Sequence, residues 1–152
     1  MSSIREQASA VLDGIIAGEI NGFGGERKTF TPEGMINAGC SFNYEISLPM
    51  WQGEVKILDI ISPDNQPESH IESHREEILD IIDFIAASQQ KAADAIAKEH
   101  DDDEESAKEV VRIELDFTED KPIYSFYVPS KYDFCYHVFI NGDMTLDAGQ
   151  IS

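Results

Sequence analysis

Positive charge is what this chain has least of. Eleven Lys and Arg stand against thirty Asp and Glu, a net charge of −19 over 152 residues. Such a field repels nucleic-acid phosphate and anionic lipid, so direct binding to either is excluded as an expectation, and basic partners are favoured. Cysteine is scarce too. Cys40 and Cys135 form no C-x-x-C pair and cannot supply a four-thiolate metal site, and two thiols in a core-sized domain point to a reducing compartment. No apolar run is long enough to span a bilayer, and no basic stretch followed by an apolar one opens the chain. A soluble, cytoplasmic protein is the expectation. Phosphate-loop chemistry is missing as well: Gly22, Gly24 and Gly25 have no Gly-Lys-Ser or Gly-Lys-Thr after them, so they read as turn glycines.

What is present argues for a folded domain. Hydrophobic residues make up 41% of the chain, with eight Phe and five Tyr, enough for a core in a single domain of this length. The acids are unevenly placed. Residues 64–105 hold fourteen acids against three bases, while each flank carries eight against four.

The pattern predicts an α+β fold. Ser3, with Glu6 three residues on, caps a short N-terminal helix whose apolar face is Ile4, Ala8, Val11, Leu12, Ile15 and Ile16. Residues 40–152 form the core of the same domain. Phe42, Tyr44, Ile46 and Leu48 alternate with polar residues as a half-buried strand. The run from Val55 to Ile61 reads as a central strand, joined to it by a tight hairpin at Trp51-Gln52-Gly53. One long helix over residues 68–99 follows, with Ile71, Ile78, Ile82, Ile85, Ala92 and Ile96 on its stripe. Strands around Val111 to Phe117, Ile123 to Val128 and Phe134 to Ile140 then close a meander. The expected architecture is an antiparallel sheet of about five strands with one long helix packed across it.

Candidate sites follow from residue type and spacing. His70 and His74 lie four apart on a helix and could share a metal ligand. The segment is not H-E-x-x-H, however, and lacks the acid that would serve as a metalloprotease base. Cys135 and His137 alternate on a strand and so share a face, but a thiolate needs electropositive surroundings that this chain lacks. No cofactor motif is present. The exposed helix acids Glu72, Glu76, Asp80 and Asp83, with the run Asp101, Asp102, Asp103, Glu104 and Glu105, form the densest negative surface. They are the candidate docking residues for a basic protein.

Val110-Val-Arg-Ile-Glu-Leu-Asp-Phe117, Tyr124-Ser-Phe-Tyr-Val128 and Phe134-Cys-Tyr-His137-Val-Phe-Ile-Asn-Gly142 resemble a bacterial family catalogued as domain of unknown function 2262. The tryptophan-glycine hairpin and the long acidic helix that precede them belong to the same pattern. The resemblance covers residues 44–151 and implies a small bacterial α+β protein of a class that includes immunity proteins against toxins; it brings no catalytic residues. Tyr136 stands before the histidine where the family has Gly. The leading expectation is therefore a non-enzymatic acidic interaction protein, an immunity protein masking a basic toxin such as a nuclease. Its rivals are a small hydrolase using metal at His70 and His74 or the Cys135–His137 pair, and a DNA mimic.

Overall fold

The computed structural model describes residues 3–99, 107–130 and 134–151. Eleven elements follow in chain order: α1 (Ile4–Ile16), β1 (Gly22–Thr31), β2 (Gly34–Met50), β3 (Gly53–Ser62), α2 (Pro67–Ser73), α3 (Arg75–Ala86), α4 (Gln89–Glu99), β4 (Arg112–Asp116), β5 (Ile123–Pro129), β6 (Cys135–Ile140) and β7 (Leu146–Ile151). Helix α1 starts where its cap lies: the Ser3 hydroxyl accepts from the Glu6 amide at 3.1 Å, satisfying one of the donors a helix start leaves over.

The seven strands form one sheet in the order β1-β2-β3-β4-β5-β6-β7. Every neighbouring pair is antiparallel except β3 and β4, which run parallel, Leu58 against Ile113 and Ile60 against Leu115. This corrects the expected five-stranded antiparallel meander. A parallel pair needs a long crossover, and the segment between Ser62 and Arg112 is that crossover.

The single long helix is also corrected. Residues 68–99 do not make one rod; they fall into α2, α3 and α4. His74 (φ −117°) separates the first two. At the second break the Ser88 hydroxyl donates back to the Phe84 carbonyl, the local bond by which serine competes with helix continuation.

Two strands were illegible for a different reason. Gly22 and Gly24 are not in a turn but in β1, paired with Tyr44 and Phe42 of β2. A Cβ on Gly22 would stand 2.6 Å from the Tyr44 ring, and one on Gly24 would stand 2.5 Å from Phe42. The rings cover the glycines, so a segment that looks like punctuation is a strand. Strand β7 also lies outside the expected fold: its inward residues are Leu146 and Ala148, and with Asp147 and Gly149 between and after them the run carries little strand signal.

All four helices lie on one face of the sheet. Helix α1 packs on α2, α3 and β2, α2 lies on β3, and α4 lies against β7. Between the layers a single core gathers Leu12, Ile15, Leu58, Ile60, Ile71, Ile78, Ile85, Ile96, Ile113, Phe126 and Tyr136, each 2% exposed or less. Trp51 ties the β2–β3 hairpin to this layer: its indole N–H donates to the Ile85 carbonyl at 2.8 Å, and its ring meets Phe126 edge-on. Trp51 does so from a left-handed backbone (φ 58°). Among the described residues, no helix is long and apolar enough to cross a membrane.

Candidate functional site

The sheet face opposite the helices carries an unusual set of side chains. Alternation on β3 to β6 points Ile57, Arg112, Tyr127 and His137 to that face in one register row, and Asp59, Glu114, Ser125 and Phe139 in the next. Three of the polar members are buried: Asp59 is 4% exposed, Ser125 0% and His137 8%. Buried polar groups must be bonded or they cost stability, and most of these are. The His137 Nε2 lies 2.7 Å from the Ser125 Oγ. Ser125 donates towards Glu114 at 3.5 Å, and the Tyr127 hydroxyl donates to Glu114 at 3.3 Å. Arg112 reaches Asp59 Oδ2 at 3.2 Å. The His137 ring is stacked on Tyr127 and tilted against Phe139, each with centroids 4.1 Å apart.

A serine, a histidine and a glutamate in contact invite comparison with a hydrolytic triad, and the geometry differs from one. A triad places the acid on Nδ1 and the serine on Nε2. Here Glu114 approaches Nε2 as well, at 3.8 Å. The Ser125 Oγ lies 2.7 Å from the His137 Nε2 and 3.5 Å from Glu114, so serine and acid meet at the same ring nitrogen and not across the ring. Burial also lowers the His137 pKa, keeping the imidazole neutral at pH 7. With Ser125 fully buried, no substrate carbonyl can reach its oxygen. This arrangement fixes the register of β4, β5 and β6; it does not make a nucleophile. Burial, with Glu114 beside it, pushes the Tyr127 phenol up to about 12, so Tyr127 stays a hydrogen-bond donor.

The sequence-derived candidates land in several places. His70 and His74 lie on Phe117, ring centroids 5.4 and 5.0 Å away. The His70 Nε2 pairs with Asp64 at 3.2 Å, and the His74 Nδ1 lies 3.0 Å from the His70 carbonyl. Among the described residues no group of three or more His, Cys, Asp and Glu is placed to hold a metal ion. Cys135 and His137 share the open face, as alternation requires, with the His137 Nε2 occupied by Ser125. Three of the helix acids are answered within the chain: Arg5 bonds Glu76 at 2.8 Å and Asp80 and Asp83 at 2.9 Å each. Glu72 is exposed on α2. The run Asp101, Asp102, Asp103, Glu104 and Glu105 lies outside the described residues.

A second feature had no sequence signal. At one end of the sheet, a cleft of about 700 Å³ opens between α3 and the turns that follow β4 and β6. Four large hydrophobic residues are exposed among those described, and three of them, Ile123, Phe139 and Met144, line this cleft. Glu77 and Asp147 stand on its walls, with Lys121. Tyr124 is the buried part of the wall; desolvation and the nearby Glu77 carboxylate raise its phenol above the ordinary range.

The chain matches no protein-family model, no curated protein and no solved structure.

Proposed function

We propose that this chain is a non-enzymatic interaction protein whose acidic surface docks a basic protein, in the manner of an immunity protein that masks a basic toxin. The observation that carries the reading is the charge: −19 overall, concentrated in residues 64–105. Both arginines of the helical layer are already committed. Arg5 is taken by Glu76, Asp80 and Asp83, and Arg75 by Asp13 at 2.8 Å. The layer therefore stays negative after its internal pairing, and a cationic partner would be steered to it. The hydrolase reading has less in its favour: His70 and His74 are engaged with Asp64 and Phe117, and the His137 Nε2 lies against Ser125 and not Cys135.

The kinship with the family of domain of unknown function 2262 belongs to the same proposal. It rests on the sequence pattern of residues 44–151, the Trp51 hairpin and the His137 strand among them. A cytoplasmic location belongs to the proposal too, and is supported by Cys40 and Cys135 both being free thiols.

The test is capture of partners by the tagged protein from its own cell lysate at low salt, with salt-step elution and mass spectrometry. A basic protein released by salt is expected. The triple variant Asp101→Asn, Asp102→Asn, Asp103→Asn should then associate several-fold more slowly at low ionic strength, with the difference shrinking as the Debye length falls below roughly 5 Å. Capture of no basic protein, or association unchanged by the triple variant at low salt, would count against the proposal.

A further inference from the structure

The cleft at the end of the sheet answers a question the charge leaves open, namely where a partner makes its apolar contact. Charge gives on-rate and orientation, whereas tight interfaces are held by a few buried apolar anchors. Of the four large hydrophobics exposed among the described residues, Phe23 stands apart on β1 and the other three are gathered. Ile123 (39% exposed), Phe139 (38%) and Met144 (38%) border the same cleft, Ile123 and Phe139 from the sheet face turned away from the helices and Met144 from the turn after β6; apolar side chains gathered beside polar ones suit a contact.

Met144 is the telling residue. It sits in the left-handed region (φ 65°) without being glycine, a conformation that costs a side-chain-bearing residue about 1 kcal/mol or more. The turn around it is pinned from several sides. The Met144 amide donates to the Asn141 carbonyl at 2.9 Å and the Asn141 amide to the Thr145 carbonyl at 2.8 Å. Asp143 Oδ1 accepts from both the amide and the hydroxyl of Thr145, and the Asn141 side chain bonds Thr145 and Asp147. The turn so pinned holds the Met144 side chain on the cleft.

The rim gives the sign of the occupant. Glu77 and Asp147 line the cleft, and Glu119, Asp120 and Asp143 lie in the two bordering turns, with Lys121 the cation among them. An acidic rim around an apolar floor fits a segment that carries an aromatic or aliphatic residue flanked by Lys or Arg. A second copy of this chain fits poorly, because two molecules of charge −19 repel. We propose that this cleft is the anchor site for such a basic-flanked apolar residue on a protein partner; the proposal rests on the acidic-docking reading above and gives it a location.

The experiment is a titration of ¹⁵N-labelled protein with three capped pentapeptides: Gly-Lys-Phe-Lys-Gly, its Glu-Phe-Glu counterpart, and Gly-Lys-Gly-Lys-Gly without the aromatic anchor. The first should shift the amides of Ile123, Phe139, Gly142 and Met144 saturably, the third several-fold more weakly, and the Glu peptide not at all. Met144→Gly should weaken the first peptide roughly tenfold. Its fold should hold, since glycine adopts this φ freely, so a normal melting temperature separates lost binding from lost structure. Glu77→Gln should weaken it a few-fold.

Equal response to the Glu peptide, or no saturable shift at the cleft, overturns the proposal. Shifts confined to the amides of Glu72, Glu76, Asp80 and Asp83 overturn the cleft assignment and leave acidic docking standing. Failure to capture any basic protein at low salt removes the reading itself, independently of the peptide result.

Discussion

Asp59→Asn should stabilise this protein, which is unusual for a substitution at a buried ion pair. Asp59 is 4% exposed on β3. Its Oδ2 lies 3.2 Å from the Arg112 Nε, while its Oδ1 is buried with no hydrogen-bond partner. Burial raises its carboxyl pKa, and the opposing pull of Arg112 does not cancel that. A buried polar atom left unsatisfied costs about 1–3 kcal/mol. Asparagine keeps an acceptor for Arg112 and makes the side chain neutral, which costs less to bury. Against this stands the loss of charge assistance in the Arg112 bond, about 1 kcal/mol. The balance is a gain of about 1 kcal/mol at pH 7, or about 2–4 °C in melting temperature for a chain of this size.

The pH dependence has a definite sign. A carboxyl whose pKa is higher folded than unfolded takes up its proton more readily in the folded state. Its destabilising effect is therefore complete above the folded pKa and fades as pH falls through that value. The advantage of Asp59→Asn should be largest at pH 7 and should shrink towards about pH 4. Urea titrations of both proteins at the two pH values, followed by Trp51 fluorescence, measure the gap directly. A variant less stable than its parent by about 1 kcal/mol or more at pH 7, with a gap that does not change with pH, would show that the Arg112 pair outweighs burial and would refute the reasoning.

Two further outcomes follow from local geometry. Gly39 has φ 101°, and a Cβ there would stand 2.4 Å from the Ser62 carbonyl oxygen, so Gly39→Ala should lose about 2 kcal/mol or more in denaturant melts; a loss under about 0.5 kcal/mol would mean that the β2 bend relaxes easily. Ser3→Ala removes the acceptor of the Glu6 amide and should cost about 1 kcal/mol, with earlier amide exchange in the first turn of α1; unchanged exchange there would assign the helix start to packing instead of the cap.

How far the sequence reaches depends on whether a feature is local. The Ser3 cap, the alternation of Ile113 and Leu115 with Arg112, Glu114 and Asp116, and the apolar run of β3 are all written within a few residues, and each appears in the fold. Strand β1 is not legible that way. Gly22 and Gly24 signal a turn until Tyr44 and Phe42 are known to lie across from them. The parallel seam is equally silent, since nothing in residues 112–116 says which side of which strand they will take.

The sites show the same division. His137 stands out by type and alternation, but its partners Ser125 and Glu114 come from two other strands and are fixed only by register. Glu76, Asp80 and Asp83 are legible as an acidic helix stripe. That Arg5 lies across them depends on α1 packing against α3. Met144 looks like an ordinary residue after Asn141-Gly142-Asp143, and its left-handed backbone has no signature in residue type.

The strand order has a kinetic consequence. Strands that neighbour one another in the sheet also follow one another in the chain, and all but one of the junctions join strands separated by six residues or fewer. The β1–β2–β3 and β4–β5–β6–β7 sections can each pair by short-range loop closure, at low entropic cost. Only the β3–β4 junction joins residues about fifty apart, Ile57 with Arg112 through Ile61 with Asp116, and it can zip only when the intervening helices have collapsed onto the growing sheet. The chain is thus two fast-forming meanders joined by one slow seam. Substitutions at Leu58, Ile60, Ile113 or Leu115 should slow folding, whereas those in the outer hairpins should chiefly speed unfolding.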